Sequence, residues 1–255
     1  AQFPFFKGSE TKQFLEVTES EVCALIKRTA FAMAHQDVRY FLNGMLLEFN
    51  GSELKAVATD GHRLAVNSIE TQADLSTFKA IVPRKTIQEL TRLLSGSDAM
   101  IKLMVTSDFI EVHHDAFRLK SNLIDAQYPD YQKLIPRSSE DQALIETHAL
   151  RHALNRVNIL ANEKFRGVRM HFKVENQLML EANNLDKEVA VENIEVLEGP
   201  VDTTIAFNIG YLADILSIID SDRVVLQMSG AQTGTLIQEE GGDMNSLFVD
   251  MPLTL

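Results

Sequence analysis

The sequence repeats itself with a period of about 125 residues, and this repeat limits the possible folds more than any other feature of the chain. Residues 82–90 align with residues 207–215, and the alignment places Ile87, Leu90 and Leu94 opposite Leu212, Ile215 and Ile219, both at the i, i+3 and i+7 spacing of an amphipathic helix. A second helical stripe, which starts at Val22, corresponds to one that starts at Leu150. The repeat therefore predicts two tandem domains of the same architecture.

The first residues of the chain fit the same repeat. Residues 1–4 have the sequence Ala-Gln-Phe-Pro and resemble residues 126–129, Ala-Gln-Tyr-Pro, which end the first repeat and lead into the second. The chain also begins without Met. We therefore expect residues 1–12 to be the tail and linker of a missing preceding domain, followed by one domain at 13–136 and another at 137–255.

Each repeat is predicted to use a strand–helix–three-strand unit twice. In the first unit, Thr18 and Glu21 have capping-box spacing ahead of a helix at about residues 19–33. Alternating hydrophobicity predicts strands at 14–17, 41–49, 53–59 and 62–68, with Asp60-Gly61 as a type I′ hairpin signal. The second unit has a strand at 78–82, a helix at 84–95 ended by Gly96, and strands near 101–106, 108–114 and 116–123. The predicted class is α+β, with two helices of each domain on one face of antiparallel sheets.

The charge of the chain is unevenly distributed. The net charge at pH 7 is −12, yet residues 1–135 hold 15 basic against 17 acidic side chains, while residues 136–255 hold 9 against 19. Because duplex DNA is bound mostly through Lys and Arg, this balance argues against attraction to nucleic acid over the whole surface. It is compatible with a local basic strip, and also with an ordinary acidic exterior that keeps the protein in solution.

Basic residues recur on the outer faces of three of the four predicted helices. They are Lys27 and Arg28 on the first helix, Lys85 and Arg92 on the second, and Arg151 and Arg156 on the third. The fourth helix, at 211–219, has no Lys or Arg. This pattern predicts weak, sequence-independent contact with phosphates, and solubilising positions are the alternative interpretation.

Several classes of protein are disfavoured by what the sequence lacks. Cys23 is the only cysteine, which excludes an internal disulfide and any cysteine-cluster zinc site. The sequence shows no basic-then-apolar leader and no uncharged stretch of 18 residues, so we expect a cytoplasmic protein.

An enzyme interpretation would begin with Asp60 and His62, or with the run His113-His114-Asp115. Asp60 lies in a predicted tight turn, and adjacent residues of a strand point to opposite faces, so neither group is suited to hold a metal ion. No phosphate-binding Gly-rich loop or nucleophile motif is present. We expect no catalytic residue, no metal and no cofactor.

Six segments follow one another along nearly the whole chain: residues 34–44, 58–65, 81–85, 128–131, 162–169 and the terminal Met251-Pro252-Leu253. Together and in this order, they resemble the beta sliding clamp family of bacterial DNA polymerase III. The resemblance covers the second and third of that family's three domains and the last residues of the first. It implies two tandem DNA-clamp domains and a DNA polymerase processivity factor, associated with the nucleoid.

The resemblance implies that two full-length subunits close head to tail into a ring, with helices lining a hole that encircles duplex DNA. The DNA-facing residues would be Lys27, Arg28, Gln36, Arg39, Tyr40, Lys85, Arg92, Arg151 and Arg156. Ile159 and Leu160 would lie at the subunit interface of the homodimer. Without the first domain, we expect a monomer that does not close the ring.

The resemblance also implies a pocket that captures short, partly hydrophobic peptides of DNA polymerases, clamp-loader subunits and repair proteins. Its deep apolar part would comprise Leu42, Thr59, Gly61, His62, Arg63, Leu64, Pro129, Leu134, Val249 and Met251. A shallower groove would use His35, Phe41, Asn208, Tyr211, Pro252 and Leu253. An apolar hole of this kind receives Leu or Phe anchors, and a few polar groups fix the direction of the peptide.

Two alternatives to this assignment remain at the level of sequence. Leu42, Leu64 and Val249 are also suited to be ordinary core residues. The whole chain is also compatible with a repeat-built peptide-binding scaffold that has no role on DNA. Phe41, Lys133 and Thr254 differ from the residues common in the family, which affects the polar contacts of the groove more than its apolar anchors.

Overall fold

A computed structural model describes residues 14–254 of the chain, with short gaps at 72, 74, 137–140, 163–165, 201, 231–232 and 243–244. The repeat signal at residues 1–4 lies outside the described residues, as do the predicted domain limits at residues 12, 13 and 137. The first repeat contains β1 (Leu15–Thr18), α1 (Glu19–Thr29), β2 (Gly44–Phe49), β3 (Glu53–Thr59), β4 (Arg63–Glu70), β5 (Phe78–Pro83), α2 (Arg84–Leu93), β6 (Met100–Val105), β7 (Phe109–His113) and β8 (Arg118–Asn122). The second contains β9 (Gln142–Glu146), α3 (Thr147–Val157), β10 (Gly167–Lys173), β11 (Gln177–Asn183), β12 (Val189–Glu195), β13 (Thr203–Asn208), α4 (Ile209–Ile218), β14 (Arg223–Gln227), β15 (Thr235–Glu239) and β16 (Ser246–Asp250).

The strand–helix–three-strand unit occurs twice in each repeat of the described chain. The predicted α+β class, built from two tandem domains, is confirmed. At the start of α1, the Glu21 N–H donates to Thr18 Oγ1 at 3.2 Å while the Thr18 N–H donates to Glu21 Oε2 at 2.7 Å. This capping box satisfies two N–H groups that would otherwise lack partners at the helix N-terminus.

Three local predictions were wrong in detail. The first helix ends at Thr29 rather than near residue 33, because the chain tightens into a 3₁₀ turn over Ala30–Ala32. The predicted strand at 41–49 starts only at Gly44, after a second 3₁₀ turn over Tyr40–Asn43. The helix predicted to end at Gly96 ends at Leu93, since Leu94 already has an extended backbone.

The strands form three antiparallel sheets. One has the order β1-β6-β7-β8 and another the order β12-β11-β10-β13. The third has eight strands in the order β5-β2-β3-β4-β16-β15-β14-β9, so it takes four strands from each repeat. Its central pair, β4 with β16, joins the two repeats through backbone hydrogen bonds.

Two apolar clusters lie on opposite faces of the eight-stranded sheet. The larger cluster contains the buried faces of the helices, with residues such as Leu25, Leu150 and Ile215, together with Ala65 and Phe248 from the sheet. The smaller cluster contains Leu46, Val57, Leu64, Val66, Ile81, Tyr131, Leu236 and Val249. Since neighbouring residues of a strand point to opposite faces, this smaller cluster lies on the face that carries no helix. We call that face the outer face.

Candidate peptide-binding site and charged surfaces

The pairing of β4 with β16 brings the two halves of the predicted peptide site together. Leu64 lies opposite Val249 in this antiparallel pair. Just beyond the strands, the Met251 N–H donates to the His62 carbonyl at 2.9 Å. Backbone hydrogen bonds across the repeat boundary therefore fix the base of the site.

The loop between β3 and β4 is held by its own side chains. Thr59 Oγ1 donates to the Arg63 carbonyl at 2.6 Å and accepts from the Gly61 N–H at 3.1 Å. Asp60 Oδ1 accepts from the His62 N–H at 2.9 Å and from the Arg63 N–H at 3.1 Å. The loop holds these residues in a fixed arrangement before any ligand binds.

The predicted hairpin exists, but its turn type was predicted wrongly. A type I′ turn needs positive φ at two successive residues, whereas in this loop only Gly61 has one, at 92°. A Cβ atom at Gly61 would also lie 2.9 Å from Arg39 Nη1. The backbone angle therefore favours glycine here, whereas Arg39 Nη1 is the end of a flexible, exposed side chain that can shift.

Arg63 connects the two repeats on the helix side of the sheet. Its Nε donates to Asp60 Oδ2 at 3.1 Å, its Nη1 to Asp214 Oδ2 of α4 at 2.6 Å, and its Nη2 to the Phe31 carbonyl at 2.7 Å. The guanidinium also lies over the Tyr211 ring, 4.5 Å from its centroid. These contacts make Arg63 a fixed part of the site.

The apolar residues of the predicted deep pocket divide into a buried base and an exposed rim. Leu42, Leu64 and Val249 are buried, so the alternative that they pack as core residues also describes their position. The Leu134 and Met251 side chains are 46% and 37% exposed. Leu134 precedes Ile135, which packs on the outer-face cluster, and Met251 directly follows β16. We call these two accessible side chains the apolar rim.

Sequence reasoning missed two residues of this region. A Cβ atom on Gly234 would lie 2.5 Å from Val249 Cγ1 and 3.2 Å from Met251 Sδ, so glycine keeps the space beside both residues open. Tyr131 is buried in the outer-face cluster, and its hydroxyl donates to Glu48 Oε2 at 2.9 Å. Tyr131 lay within a segment that resembles the family, which was the available signal; Gly234 had none.

A groove of 800 Å³ runs beside this region, between β5 and the segment that connects the repeats. Its walls include Leu46, Ile81, Tyr128, Pro129 and Tyr131. Pro129 is the predicted site residue that lines this groove. Leu46, Ile81 and Tyr131 belong both to the groove walls and to the outer-face cluster, so the groove and the cluster adjoin.

Of the six residues predicted for the shallower groove, Asn208, Tyr211 and Leu253 have contacts around β13 and the N-terminus of α4. Asn208 Oδ1 accepts from the Gly210 and Tyr211 N–H groups at 2.8 and 3.3 Å, and so caps the helix. The Tyr211 ring stacks against His62 with centroids 6.3 Å apart. The Leu253 N–H donates to the Ala206 carbonyl of β13 at 2.8 Å. His35 is exposed, Phe41 and Pro252 are half-buried, and no described hydrogen bond or ring contact links these three to Tyr211.

Most of the basic residues predicted to face DNA are paired within the protein. Arg28 donates to Glu239 at 3.0 Å and contacts Asp220 at 3.4 Å, so it links α1 to the second repeat, and Lys27 lies 3.9 Å from the same Asp220. The other pairs are Arg39 with Asp37 at 2.8 Å, Arg92 with Glu89 at 3.2 Å and Arg156 with Glu192 at 2.7 Å, while Arg151 donates to the Leu216 and Ile219 carbonyls. Lys85 is exposed on α2, and Gln36 and Tyr40 are exposed in the loop after α1.

The residues predicted for a subunit interface lie near the free edge of a sheet. Ile159 is 80% exposed in a 3₁₀ turn after α3, and Leu160 is half-buried beside it. Leu185, in the loop before β12, is 84% exposed. Since β12 is an edge strand, these apolar side chains lie beside backbone groups that have no strand partner within the sheet.

Two sequence models of one protein family match the chain in the order of its repeats. The model described as "DNA polymerase III beta subunit, central domain" matches residues 16–130, and "DNA polymerase III beta subunit, C-terminal domain" matches residues 132–253. The chain belongs to the beta sliding clamp family. Members of this family are non-catalytic processivity factors that bind DNA and DNA polymerase.

Relatives in other bacteria are similar over the whole chain. The beta sliding clamp of Salmonella typhimurium is 38% identical over 255 residues, which cover 100% of this chain and 69% of that protein. The beta sliding clamp of Pseudomonas putida is 39% identical over 254 residues, with 99% and 69% covered. The chain therefore spans about two thirds of the length of these clamps.

Solved clamp structures have the same fold. The crystal structure of DNA polymerase III subunit beta from Pseudomonas aeruginosa superimposes with a TM-score of 0.95 at 38% identity, covering 99% of this chain and 69% of that one. A second Pseudomonas aeruginosa sliding clamp, bound to griselimycin, has a TM-score of 0.93 at 37% identity, with 99% and 68% covered. Among the described residues of this chain, no helix is long and apolar enough to cross a membrane.

Proposed function

We propose that the outer-face site at the repeat boundary binds short peptides of DNA polymerases, clamp-loader subunits and repair proteins. The outer-face cluster supports this proposal, because it is built from both repeats and from the segment that connects them. Leu134 and Met251 form an accessible apolar rim at its border. A Leu or Phe anchor of a peptide would bury these side chains and gain free energy from the apolar area removed from water.

The polar residues of the site fix the peptide indirectly. Arg63 already has partners in Asp60, Asp214 and the Phe31 carbonyl, so the proposal does not give it a direct ion pair with the peptide. Its role is to hold the loop that contains His62 in a fixed position against α4. His62 is exposed and stacks on Tyr211, which places an imidazole at the edge of the apolar rim.

Peptide binding is tested by titrating a fluorescent clamp-binding peptide that contains Gln and Leu or Phe. We expect Met251→Ala to weaken binding by about tenfold, a loss of about 1.4 kcal/mol that is ordinary for an apolar contact residue. Met100→Ala is the matched control, because Met100 is an exposed methionine on β6 of another sheet. Binding that Met251→Ala leaves unchanged would contradict the assignment of the site.

We also propose that the helix faces contact duplex DNA in the closed ring. All four helices pack into the larger cluster, while the outer face carries none of them, so the helices share one side of the eight-stranded sheet. Lys85, Gln36 and Tyr40 supply exposed cationic and polar groups on or next to these helices. Few and sequence-independent phosphate contacts of this kind are suited to sliding along DNA.

The DNA proposal is tested by measuring DNA affinity against salt concentration. We expect Lys85→Ala to reduce the steepness of the slope of log K against log salt concentration by about 0.9, the value for one lost phosphate contact. Lys79→Ala is the control, since Lys79 is an exposed lysine on the outer face that pairs with Glu48 at 2.7 Å. An equal effect of the two substitutions would show that only overall charge matters.

A third proposal concerns assembly. The strands β12 and β4 are each the third strand after the first helix of their repeat, and β4 pairs with β16 of the following domain. This equivalence supports pairing of β12 with the last strand of another clamp domain, with Ile159 and Leu160 packed beside it. A protein of these two domains alone would offer only part of that interface.

Light scattering tests the assembly proposal. We expect the 255-residue protein to elute with a mass near its monomer value of 28.6 kDa. It should also fail to remain on closed circular DNA, because two domains do not complete a ring. A dimer that stays on circular DNA and is released when the DNA is cut would contradict this proposal.

A further inference from the structure

Two histidines form an isolated pair on the exposed face of α3. His148 and His152 are spaced i, i+4, which places them one above the other on the same side of the helix. Their ring centroids are 4.0 Å apart with the ring planes inclined at 44°. Both side chains are exposed. The helix itself therefore holds two imidazoles side by side.

The ring nitrogens of this pair have no competing contacts within the described part of the chain. Neither ring takes part in a hydrogen bond or ion pair there. Three other described histidines differ in this respect: His113 contacts Glu111 at 3.0 Å, His114 contacts Glu19 at 3.3 Å, and His171 shares a hydrogen bond with Thr204 at 2.9 Å. His35 and His62 also lack such contacts, but neither lies one helical turn from another histidine. The lone pairs of His148 and His152 are available to a ligand from outside the chain.

The neighbouring cations of α3 are turned away from the pair. The Arg151 guanidinium donates to the Leu216 and Ile219 carbonyls at the C-terminus of α4. The Arg156 guanidinium binds Glu192 of β12 through two hydrogen bonds, at 2.7 and 3.1 Å. Their positive charges are thus partly compensated and directed elsewhere. Repulsion of a divalent cation at the histidine pair is correspondingly reduced.

The spacing of the pair matches the coordination chemistry of imidazole. Neutral imidazole is a preferred ligand of Zn²⁺, Cu²⁺ and Ni²⁺, with metal–nitrogen distances of about 2.0–2.1 Å for zinc. Two nitrogens bound to one such ion lie roughly 3 Å apart, a separation that histidines at i, i+4 of a helix reach, as in the zinc-binding helices of metalloproteases. Rings bound to one ion have centroids roughly 4.5–5 Å apart, so the pair, at 4.0 Å, reaches the bound arrangement through a small rotation of its exposed side chains.

We propose that His148 and His152 form a two-histidine site for one divalent transition-metal ion, with water in the remaining coordination positions. This proposal departs from the expectation, made from the sequence, that the chain holds no metal. Among the described residues, no group of three or more His, Cys, Asp or Glu side chains is arranged to hold an ion. The site therefore has open positions, which are suited to exchange with other oxygen ligands.

Isothermal titration of untagged protein with Ni²⁺ tests the proposal. We expect one ion per chain and a raised unfolding temperature, because the bound ion links two turns of α3 and is lost on unfolding. His148→Ala and His152→Ala should each weaken binding by at least about tenfold, since the second imidazole binds at a high effective concentration. Zn²⁺ should compete with Ni²⁺ for the same site.

His171→Ala is the matched control, because His171 lies on β10 and should leave the Ni²⁺ affinity unchanged. Circular dichroism of each variant without metal would show that its fold is retained. The proposal is overturned if the wild-type protein binds no Ni²⁺ in a saturable manner. It is also overturned if either single variant binds Ni²⁺ as tightly as the wild type.

Discussion

Asp250 and Glu19 are both buried carboxylates, yet their surroundings shift their pKa values in opposite directions. Burial raises the pKa of Asp250 well above its usual range, and both of its oxygens lack hydrogen-bond donors although Arg63 lies on the adjacent strand. Hydrogen bonds from Ser95 and Ser97 lower the pKa of Glu19 to about 2, with a further contribution from His114. The same side-chain chemistry thus favours opposite protonation states at the two positions.

Asp250 is predicted to reduce stability at neutral pH. Because its pKa is raised on folding, its contribution is most favourable below the unfolded value of about 3.8 and is lost as pH rises through the folded value. Asp250→Asn should therefore raise the free energy of unfolding at pH 7, because the neutral amide avoids the cost of keeping a buried carboxyl charged or of protonating it. Urea denaturation at pH 7 measures this change. Asp108→Asn, an exposed aspartate, is the control, and a destabilised Asp250→Asn would refute the explanation.

Glu19 is predicted to have the opposite dependence on pH. Because its folded pKa is about 2, its contribution to stability is complete above the unfolded value of 4.5 and disappears as pH falls through the folded value. Glu19→Gln should destabilise the protein at pH 7 and have little effect near pH 2. Denaturant unfolding of both proteins across this range measures the difference. A destabilisation that stays constant with pH would indicate lost packing instead of lost charge.

For individual residues of the site and the charged surface, the sequence predicted some positions and missed the partners of others. The predicted pocket residues Leu64, Val249 and Met251 do meet at the repeat boundary. Arg28 was predicted to face DNA, but its partners Glu239 and Asp220 lie some 200 positions away and no local pattern links them. Side chains with long-range partners cannot be placed from local periodicity. The pocket residues were instead named from the resemblance to the clamp family.

At the scale of secondary-structure elements, the capping box predicted from Thr18 and Glu21 can be tested directly at the start of α1. Thr18→Ala removes the side chain that accepts from the Glu21 N–H, and we expect a loss of about 1 kcal/mol in the free energy of unfolding. Thermal or urea denaturation measures it. Ser107→Ala, at an exposed loop position, should change stability by less than about 0.5 kcal/mol. If Thr18→Ala and Ser107→Ala changed the free energy of unfolding equally, the cap would not contribute to stability.

The helices and strands followed from the sequence because their signals are local. Alternation and helical stripes located β3, α2 and the other elements of the first repeat to within a few residues. Two of the errors fell at the 3₁₀ turns over Ala30–Ala32 and Tyr40–Asn43, and the third at the end of α2. The two turns have no periodic pattern: the first contacts β3 and β4 and the second contacts β2, and all three strands lie later in the chain.

At the scale of the whole molecule, the shared sheet predicts that the two repeats unfold together. The β4–β16 pair and the Arg63 contacts cross the boundary between the repeats, and one apolar cluster runs through both. We expect a single cooperative transition in calorimetry. Arg63→Ala should lower the free energy of unfolding by about 2–3 kcal/mol, because Arg63 donates hydrogen bonds to two carboxylates and one carbonyl.

Arg223→Ala is the control for that substitution. Arg223 pairs with Glu240 at 3.3 Å on the surface, and a pair of this kind contributes less than about 1 kcal/mol. Two separate transitions in the wild-type protein would contradict the coupling of the repeats. If Arg63→Ala alone separated the transitions, Arg63 would be the main link between them.

The sequence repeat predicted two like domains but not how they join. Nothing in a single repeat distinguishes β4, which pairs with the next domain, from β12, which is left at a sheet edge. Strand pairing across a boundary depends on register between distant segments, and the sequence contains no local signal for it. The peptide site inherits this limitation, because its base is formed by that pairing.

The continuous eight-stranded sheet also sets how the molecule can deform. Hydrogen bonds between β4 and β16 resist separation of the repeats within the plane of the sheet, whereas the twist between neighbouring strands varies readily. The boundary should therefore act as a torsional hinge, stiff to stretching and compliant to twisting. Because the apolar rim lies on this hinge, a peptide bound there would restrain the twist. Peptide binding would then make the boundary between the repeats harder to twist.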